Sequence, residues 1–143
     1  MKTVTDALNN VTGYDYDIKG NRTKTTEALG NVTIYAYDTQ GRLIKQTAPD
    51  LGVTLYTYSS ADKLASVTNA IGKTTYYNVN DNGFGEGVTD ALNNTVSTVY
   101  NDMNKPVSVT DARSNTNTYT YDSVGNMTNM TDALGITTTR NTR

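Results

Sequence analysis

The sequence predicts an all-β chain: an antiparallel β-meander of 21-residue strand-turn-strand-turn repeats forming a curled open sheet. Three observations predict it. Val4-Thr5-Asp6-Ala7-Leu8-Asn9-Asn10 returns as Val88-Thr89-Asp90-Ala91-Leu92-Asn93-Asn94, four periods of 21 residues later, and the column Thr5, Thr26, Thr47, Thr68, Thr89, Thr110, Thr131 is never broken. A fixed short period marks stacked supersecondary units. Tyrosine fills two columns: Tyr14, Tyr35, Tyr56, Tyr77 and Tyr119, with Thr98 the exception, and Tyr16, Tyr37, Tyr58, Tyr100 and Tyr121, with Val79 the exception. The columns lie two residues apart, so on a strand both rings point to one face. Between the tyrosine-bearing segments, Asp and Gly recur at the spacing of tight turns.

Each unit opens with β-branched pairs, Val11-Thr12, Val32-Thr33 and Val53-Thr54, leading into the tyrosines. High β propensity with alternation reads as a strand. A turn follows in Asp17-Ile18-Lys19-Gly20, Asp38-Thr39-Gln40-Gly41 and Asp122-Ser123-Val124-Gly125. Asp at the first position and Gly at the fourth suit a type I turn. The chain runs back, as in Arg42-Leu43-Ile44-Lys45-Gln46-Thr47, to a second turn in Glu27-Ala28-Leu29-Gly30, Asn69-Ala70-Ile71-Gly72 and Asp132-Ala133-Leu134-Gly135. Pro49 occupies the second position of that turn, where its fixed φ is welcome. There the glycine, Gly52, comes one residue late, which predicts a different local geometry.

Such short connections make neighbouring strands antiparallel. Six units predict about 12 strands and roughly 58 Å of sheet, wide enough for twist to curl it. The Ala-Leu pairs look helical but sit inside turns, so no helix is expected. Leu43, Leu64 and Met127 on the return strands are the candidates to fill the gaps between tyrosines of successive units. Residues 78–87, with Gly83, Gly85 and Gly87, are expected to be the weakest part of the sheet.

At 143 residues the chain is one structural region by length. Valine, leucine, isoleucine and phenylalanine together make up under a fifth of it, a level that signals disorder when net charge is high; here it is only −2. Tyrosine supplies the missing apolar area. With no cysteine, disulfides are excluded and the redox compartment is unreadable. No stretch approaches the ~18 apolar residues of a membrane helix, so no membrane insertion is expected. The repeat starts directly after Met1-Lys2, with no signal peptide in this chain. A balance of 12 Lys plus Arg against 14 Asp plus Glu argues against nucleic acid. Six full units span residues 4–129 and a partial seventh 130–143, in which Arg140 and Thr142 take the tyrosine columns. Both ends cut the pattern mid-unit, as in a segment of a longer array or a small protein descended from one.

Histidine is absent along with cysteine, so Cys/His metal clusters and Ser/His or Cys/His catalytic arrangements are excluded. No catalytic residue, metal or cofactor is expected. Asp6, Asp17, Asp38, Asp90, Asp111, Asp122 and Asp132 fall at turn starts, where the side chain caps backbone amides. Asn78-Val79-Asn80-Asp81-Asn82-Gly83 mimics the start of a calcium loop, but Thr89 stands where the bidentate glutamate belongs. Gly83, Gly85 and Gly87 read as a bulge or a flexible strand. Asn10-Val11-Thr12, Asn21-Arg22-Thr23, Asn31-Val32-Thr33 and Asn126-Met127-Thr128 match the N-glycosylation pattern, which an Asn- and Thr-rich chain produces by chance. Exposed aromatic rows stack sugars, so the candidate glycan or partner contacts are Tyr14, Tyr16, Tyr35, Tyr37, Tyr56, Tyr58, Tyr119 and Tyr121. Packing of the sheet competes for the same rings.

Tyr35-Ala36-Tyr37-Asp38-Thr39-Gln40-Gly41-Arg42-Leu43-Ile44 and Tyr119-Thr120-Tyr121-Asp122-Ser123-Val124-Gly125-Asn126-Met127-Thr128 resemble the signature of the YD-repeat, or Rhs-repeat, family. Residues 26–31 resemble its linker between units. The family includes bacterial Rhs and wall-associated proteins, insecticidal toxin-complex shells and teneurins. The resemblance covers essentially the whole chain and makes residues 1–143 a single YD-repeat array. It implies a β-sheet strip that spirals into a hollow shell, which in bacterial members commonly encloses a toxic C-terminal domain, and a secreted or cell-surface location.

The chain departs from such proteins in being too short for a closed shell. It lacks the Asp-Pro motif that ends many shells, its only prolines being Pro49 and Pro106, and it carries no additional domain. Two units are degenerate: Asn80 and Asn101 replace Asp, and Asn104 replaces the turn Gly. The function implied is a non-enzymatic structural or scaffold module, a segment of shell wall. The alternatives are a carbohydrate-binding surface module and a self-assembling fibre subunit. The partners expected are a second copy, head to tail through edge strands near Thr3–Thr5 and Thr137–Thr139, or flanking repeats of a longer chain. Carbohydrate is the further candidate.

Overall fold

The computed structural model describes residues 1–80 and 82–140. Asp81 of the calcium-loop look-alike, and Thr142 of the tyrosine column, lie outside the described residues with Asn141 and Arg143. Six-residue strands β2 (Val11–Tyr16), β4 (Val32–Tyr37), β6 (Val53–Tyr58), β8 (Thr74–Val79), β10 (Thr95–Tyr100) and β12 (Thr116–Tyr121) carry the tyrosines. They alternate with five-residue return strands β3 (Arg22–Thr26), β5 (Leu43–Thr47), β7 (Leu64–Thr68), β9 (Gly85–Thr89), β11 (Pro106–Thr110) and β13 (Met127–Thr131). The partial units add β1 (Lys2–Thr5) and β14 (Thr137–Thr139), so the sheet has 14 strands, hydrogen-bonded in sequence order as an open antiparallel meander. Two compact units are recognisable, Met1–Tyr58 with Ser66–Thr74, and Ser59–Ala65 with Thr75–Arg143.

One hairpin loop is used throughout. Gly20 N donates to the Asp17 carbonyl at 3.1 Å and Asp17 N to the Asn21 carbonyl at 2.9 Å, with Gly20 at φ 87°. This is a three-residue loop, a type I turn closed by one left-handed residue. In the loops where glycine is missing, Asn9, Asp62, Asn93, Asn104 and Ser114 take that conformation. The geometry expected to change near Gly52 does not: Leu51 N donates to Ala48 O and Ala48 N to Gly52 O, both at 2.9 Å, and Leu51 itself adopts φ 67°. The ladders on either side fix where the chain must reverse, so position in the loop decides over residue type. Gly52 has another reason to be small. A Cβ there would lie 3.0 Å from Asp50 Oδ1 and 3.1 Å from Ala70 Cβ.

A leucine in the left-handed region is strained, because its Cβ crowds the following carbonyl by about 1–2 kcal/mol. Glycine escapes this cost but loses more chain entropy on folding. Leu51→Gly is therefore expected to stabilise the chain by roughly 0.5–1 kcal/mol, raising the melting temperature by about 1–4 °C. A thermal melt in which the variant unfolds at or below the parent temperature would show that Leu51 stores no strain.

The two sheet faces differ. Within the six-residue strands, Thr33, Tyr35 and Tyr37 are half-buried while Ile34 and Ala36 are exposed, and β12 repeats the alternation. The tyrosine face is the packed one. Leu43 and Met127 are direct cross-strand partners of Tyr37 and Tyr121, as gap-filling requires. The opposite face explains the unbroken threonine column. Its hydroxyls bond across to Thr74, Thr95, Thr116 and Thr137 from Thr68, Thr89, Thr110 and Thr131, at 2.8–2.9 Å. In the first units the same column faces Val11, Val32 and Val53. Among the described residues no apolar side chain is fully buried. Backbone ladders and cross-strand pairs, each worth about 0.2–1 kcal/mol, therefore carry much of the stability.

Candidate functional site: the tyrosine files and a cleft between them

The second tyrosine file is anchored through its hydroxyls. Tyr37 Oη donates to the Arg22 carbonyl at 2.9 Å, Tyr58 to Leu43 at 2.8 Å, Tyr100 to Gly85 at 3.1 Å and Tyr121 to Pro106 at 2.7 Å. Each acceptor is the first residue of the preceding return strand. The β3–β4 ladder ends at Lys24 and Ile34, and β5–β6 at Lys45 and Leu55. The phenol takes up a carbonyl two residues beyond that end. A register shift lies on the other side of the return strand, between Asp15 and Tyr16 and at the matching positions of later units, where a bulge bends the strand. Burial pushes the Tyr37 and Tyr121 phenols above their ordinary pKa. Tyr16 is 44% exposed at the start of the file.

Cations and apolar groups fill the space between rings of successive units. Arg42 lies over the Tyr58 ring at 4.6 Å while bonding Asp38 at 2.7 Å. Phe84 and Tyr100 contact each other with centroids 5.5 Å apart. At Gly85 the return strand offers no side chain, and an added Cβ would meet nothing within 4 Å. Tyr76, outside both columns, is 54% exposed on the other face.

Between Tyr14 and Tyr35 of the first file lies a cleft of about 590 Å³ above β3. Its floor is Thr25 between Thr12 and Thr33; Tyr14 and Tyr35 form the side walls, and Glu27 and Leu29 of the next loop stand at the far end. Arg22 sits between the two walls, its guanidinium 5.7 Å from the Tyr14 centroid and 4.9 Å from that of Tyr35, and within 3.4 Å of Tyr35 Oη. Thr25 Oγ1 is shielded from solvent and has no hydrogen-bond partner. Of the candidate contact residues, the cleft brings together Tyr14 and Tyr35; Tyr16, Tyr37, Tyr56, Tyr58, Tyr119 and Tyr121 do not line it. Arg22 and Thr25 were not among the residues singled out from the sequence. Reading down their columns reveals them: position 22 continues as Leu43, Leu64, Gly85, Pro106 and Met127, and position 25 as Gln46, Val67, Val88, Val109 and Met130.

The turn carboxylates cap backbone, as their positions suggested. Asp17 Oδ1 accepts from Lys19 N at 2.9 Å and Asn21 N at 2.8 Å, and its Oδ2 from Asn21 Nδ2 at 2.9 Å. Asp6, Asp90, Asp111 and Asp122 repeat the arrangement, and Asp132 makes the two backbone bonds. The bond from the paired asparagine side chain holds Asp6, Asp17, Asp90, Asp111 and Asp122 below the usual carboxylate range. At Asp38 burial pushes upward, and the backbone and guanidinium bonds from Arg42 outweigh it. Asn69, Asn80 and Asn101 make the same backbone caps without a charge. Among the described residues no three carboxylates stand close enough to hold a metal ion.

Comparison with known proteins follows the same geometry. Crystal structures of TcdB2-TccC3 and TcdB2-TccC3-Cdc42 each superpose with a TM-score of 0.63 at 20% identity, over 86% of this chain and 7% of theirs. The Tc holotoxin pore of Photorhabdus luminescens gives a TM-score of 0.51 at 15% identity, over 91% of this chain and 9% of that one. At these identities the likeness is one of fold, and the chain spans less than a tenth of each structure's length. Curated protein sequences give no match. The RHS Repeat family matches residues 2–32, 19–53, 37–74 and 100–138. With its loops, tyrosine files and strand order all in phase with those matches, the chain belongs to the RHS repeat family.

Proposed function

We propose that this chain is a stretch of shell wall: a non-enzymatic structural module forming one continuous array over residues 1–143, from a secreted or surface protein of the Rhs type. The observation that carries the reading is the hydroxyl anchor repeated from Tyr37 to Tyr121, which spends the most distinctive side chain of the repeat on tying one hairpin to the next. The same engagement favours packing over a glycan platform as the role of the second file. The likeness to Tc toxin structures supports a place in a larger assembly.

A wall segment needs neighbours at its open edges. In the repeat lattice Thr139 is equivalent to Thr118 and Thr5 to Thr131, and Thr118 pairs with Thr131. The free side of β14 therefore matches the free side of β1 of a second copy, with Thr139 opposite Thr5. That contact is heterologous and propagates end to end. Opposed residues of an antiparallel pair lie ~4.5–5.5 Å apart at Cα, within reach of a disulfide. Mixing Thr5→Cys and Thr139→Cys chains, otherwise free of cysteine, is expected to give the mixed dimer on oxidation, and the parent chain to sediment as end-to-end oligomers at high concentration. A monodisperse monomer with both edge strands protected from exchange, and no mixed dimer, would overturn it.

A further inference from the structure

We propose that the cleft over Thr25 binds a ligand bearing a carboxylate at one end and hydrogen-bond donors at the other. This goes beyond the wall reading and does not depend on it. The return strand β3 departs from the array at two positions on the tyrosine face. Where later units place apolar, glycine or uncharged groups, it carries the Arg22 guanidinium, and where they place Gln46, Val67, Val88, Val109 and Met130 it carries Thr25. Both changes work against packing. The guanidinium is in no ion pair among the described residues, in contrast to Arg42, which is held by Asp38. The Thr25 hydroxyl is shut from solvent without a partner. A buried polar group left unsatisfied is costly, and native folds rarely keep one without a use.

The two groups lie in one concavity of about 590 Å³, within the size range of small-ligand sites. Arg22 is steadied between the Tyr14 and Tyr35 rings, which leaves its donor edge as the recognition element. A planar guanidinium pairs bidentately with a carboxylate. The aromatic walls accept the apolar body of a ligand, Thr12 and Thr33 line the floor beside Thr25, and the Glu27 carboxylate at the far end selects for donors there. A peptide ending in a free carboxylate meets this description, its amide N–H groups facing Glu27; a small organic acid supplies the same carboxylate from another source.

The test is amide chemical-shift titration of the whole chain at low salt with three probes: N-acetyl-Gly-Gly-Ala with its free carboxylate, the same peptide as its amide, and 4-aminobutyrate, a small acid whose ammonium supplies the donors. The expected result is saturable shifts confined to residues 10–35 with the acid peptide, none with the amide, and weakening of the binding at higher salt. 4-Aminobutyrate matching or exceeding the peptide assigns the small-acid source; the peptide alone shifting assigns the peptide source. Arg22→Leu and Thr25→Val adopt residues found in the same columns, so both variants should fold, and Thr25→Val should melt higher by removing the orphan hydroxyl. Arg22→Leu is expected to weaken binding at least tenfold. No localised shifts with either carboxylate, or affinities unchanged in Arg22→Leu, would overturn the proposal.

Discussion

Replacing Tyr58 with alanine is expected to destabilise the chain by roughly 2–4 kcal/mol, a large share of the ~5–15 kcal/mol that a folded domain commands. The ring is half-buried on the packed face, its hydroxyl holds the Leu43 carbonyl at 2.8 Å, and Arg42 stacks over it at 4.6 Å. The hydroxyl share is separable. Tyr58→Phe keeps the ring and should cost only about 1 kcal/mol. The converse substitution exists in the natural sequence, where Val79 interrupts the file. Val79→Tyr places a phenol fifteen residues after Leu64, the offset seen from Tyr37 to Tyr121, and is expected to gain about 1 kcal/mol. Because each unit touches only its neighbours, the loss in Tyr58→Ala should appear as faster amide exchange along residues 43–58. Denaturant midpoints that rank alanine equal to phenylalanine would show that the ring contributes nothing beyond its hydroxyl.

Acid is expected to unfold the chain, with stability flat above about pH 5 and falling steadily below pH 4. Asp6, Asp17, Asp38, Asp90, Asp111 and Asp122 all have folded pKa values depressed below the ordinary 3.8. The sign follows directly. Each contributes stability that is fully present above 3.8, the unfolded value, and is lost as pH falls through its lowered value in the fold. Protonation removes an acceptor that serves two backbone amides and, in five of the six, an asparagine side chain. The loops capped by Asn69, Asn80 and Asn101 carry no such liability. Exchange measured at pH 2.5 should therefore rise first in the loops at residues 6–10, 17–21, 38–42, 90–94, 111–115 and 122–126. Equal denaturant midpoints at pH 2.5 and pH 6 would dispose of the idea.

Much of this architecture is legible in the sequence because each repeat restates it. The period fixes the phase, tyrosines two residues apart fix the face, and Asp followed by Gly fixes the loop. What one unit leaves ambiguous the next resolves, as when the Ala-Leu pairs at residues 7–8, 28–29, 91–92 and 133–134 all fall inside loops. The legibility fails where a residue acts against its own preference. Leu51 looks like a poor left-handed residue, yet the ladders around it dictate the loop, and no local propensity records that. The anchoring of Tyr37 to Arg22 joins residues fifteen apart through a side chain, a distance at which strand patterns are silent. The cleft was hidden differently. Arg22 and Thr25 are ordinary residues one at a time, and only a comparison down the columns shows that both break the packing rule on the same strand.

The absence of any fully buried apolar side chain among the described residues also bears on how this chain responds to temperature. The heat-capacity increment of unfolding grows with the apolar area newly wetted and shrinks with the polar area. A sheet tied by amide ladders, threonine hydroxyls and half-exposed rings wets little of the first and much of the second. Its stability curve is consequently shallow: the enthalpy of unfolding changes slowly with temperature, and the cold side of the curve falls away gently. Such a sheet keeps nearly the same strength from chilled to warm surroundings, where a domain resting on a greasy interior would have a pronounced optimum.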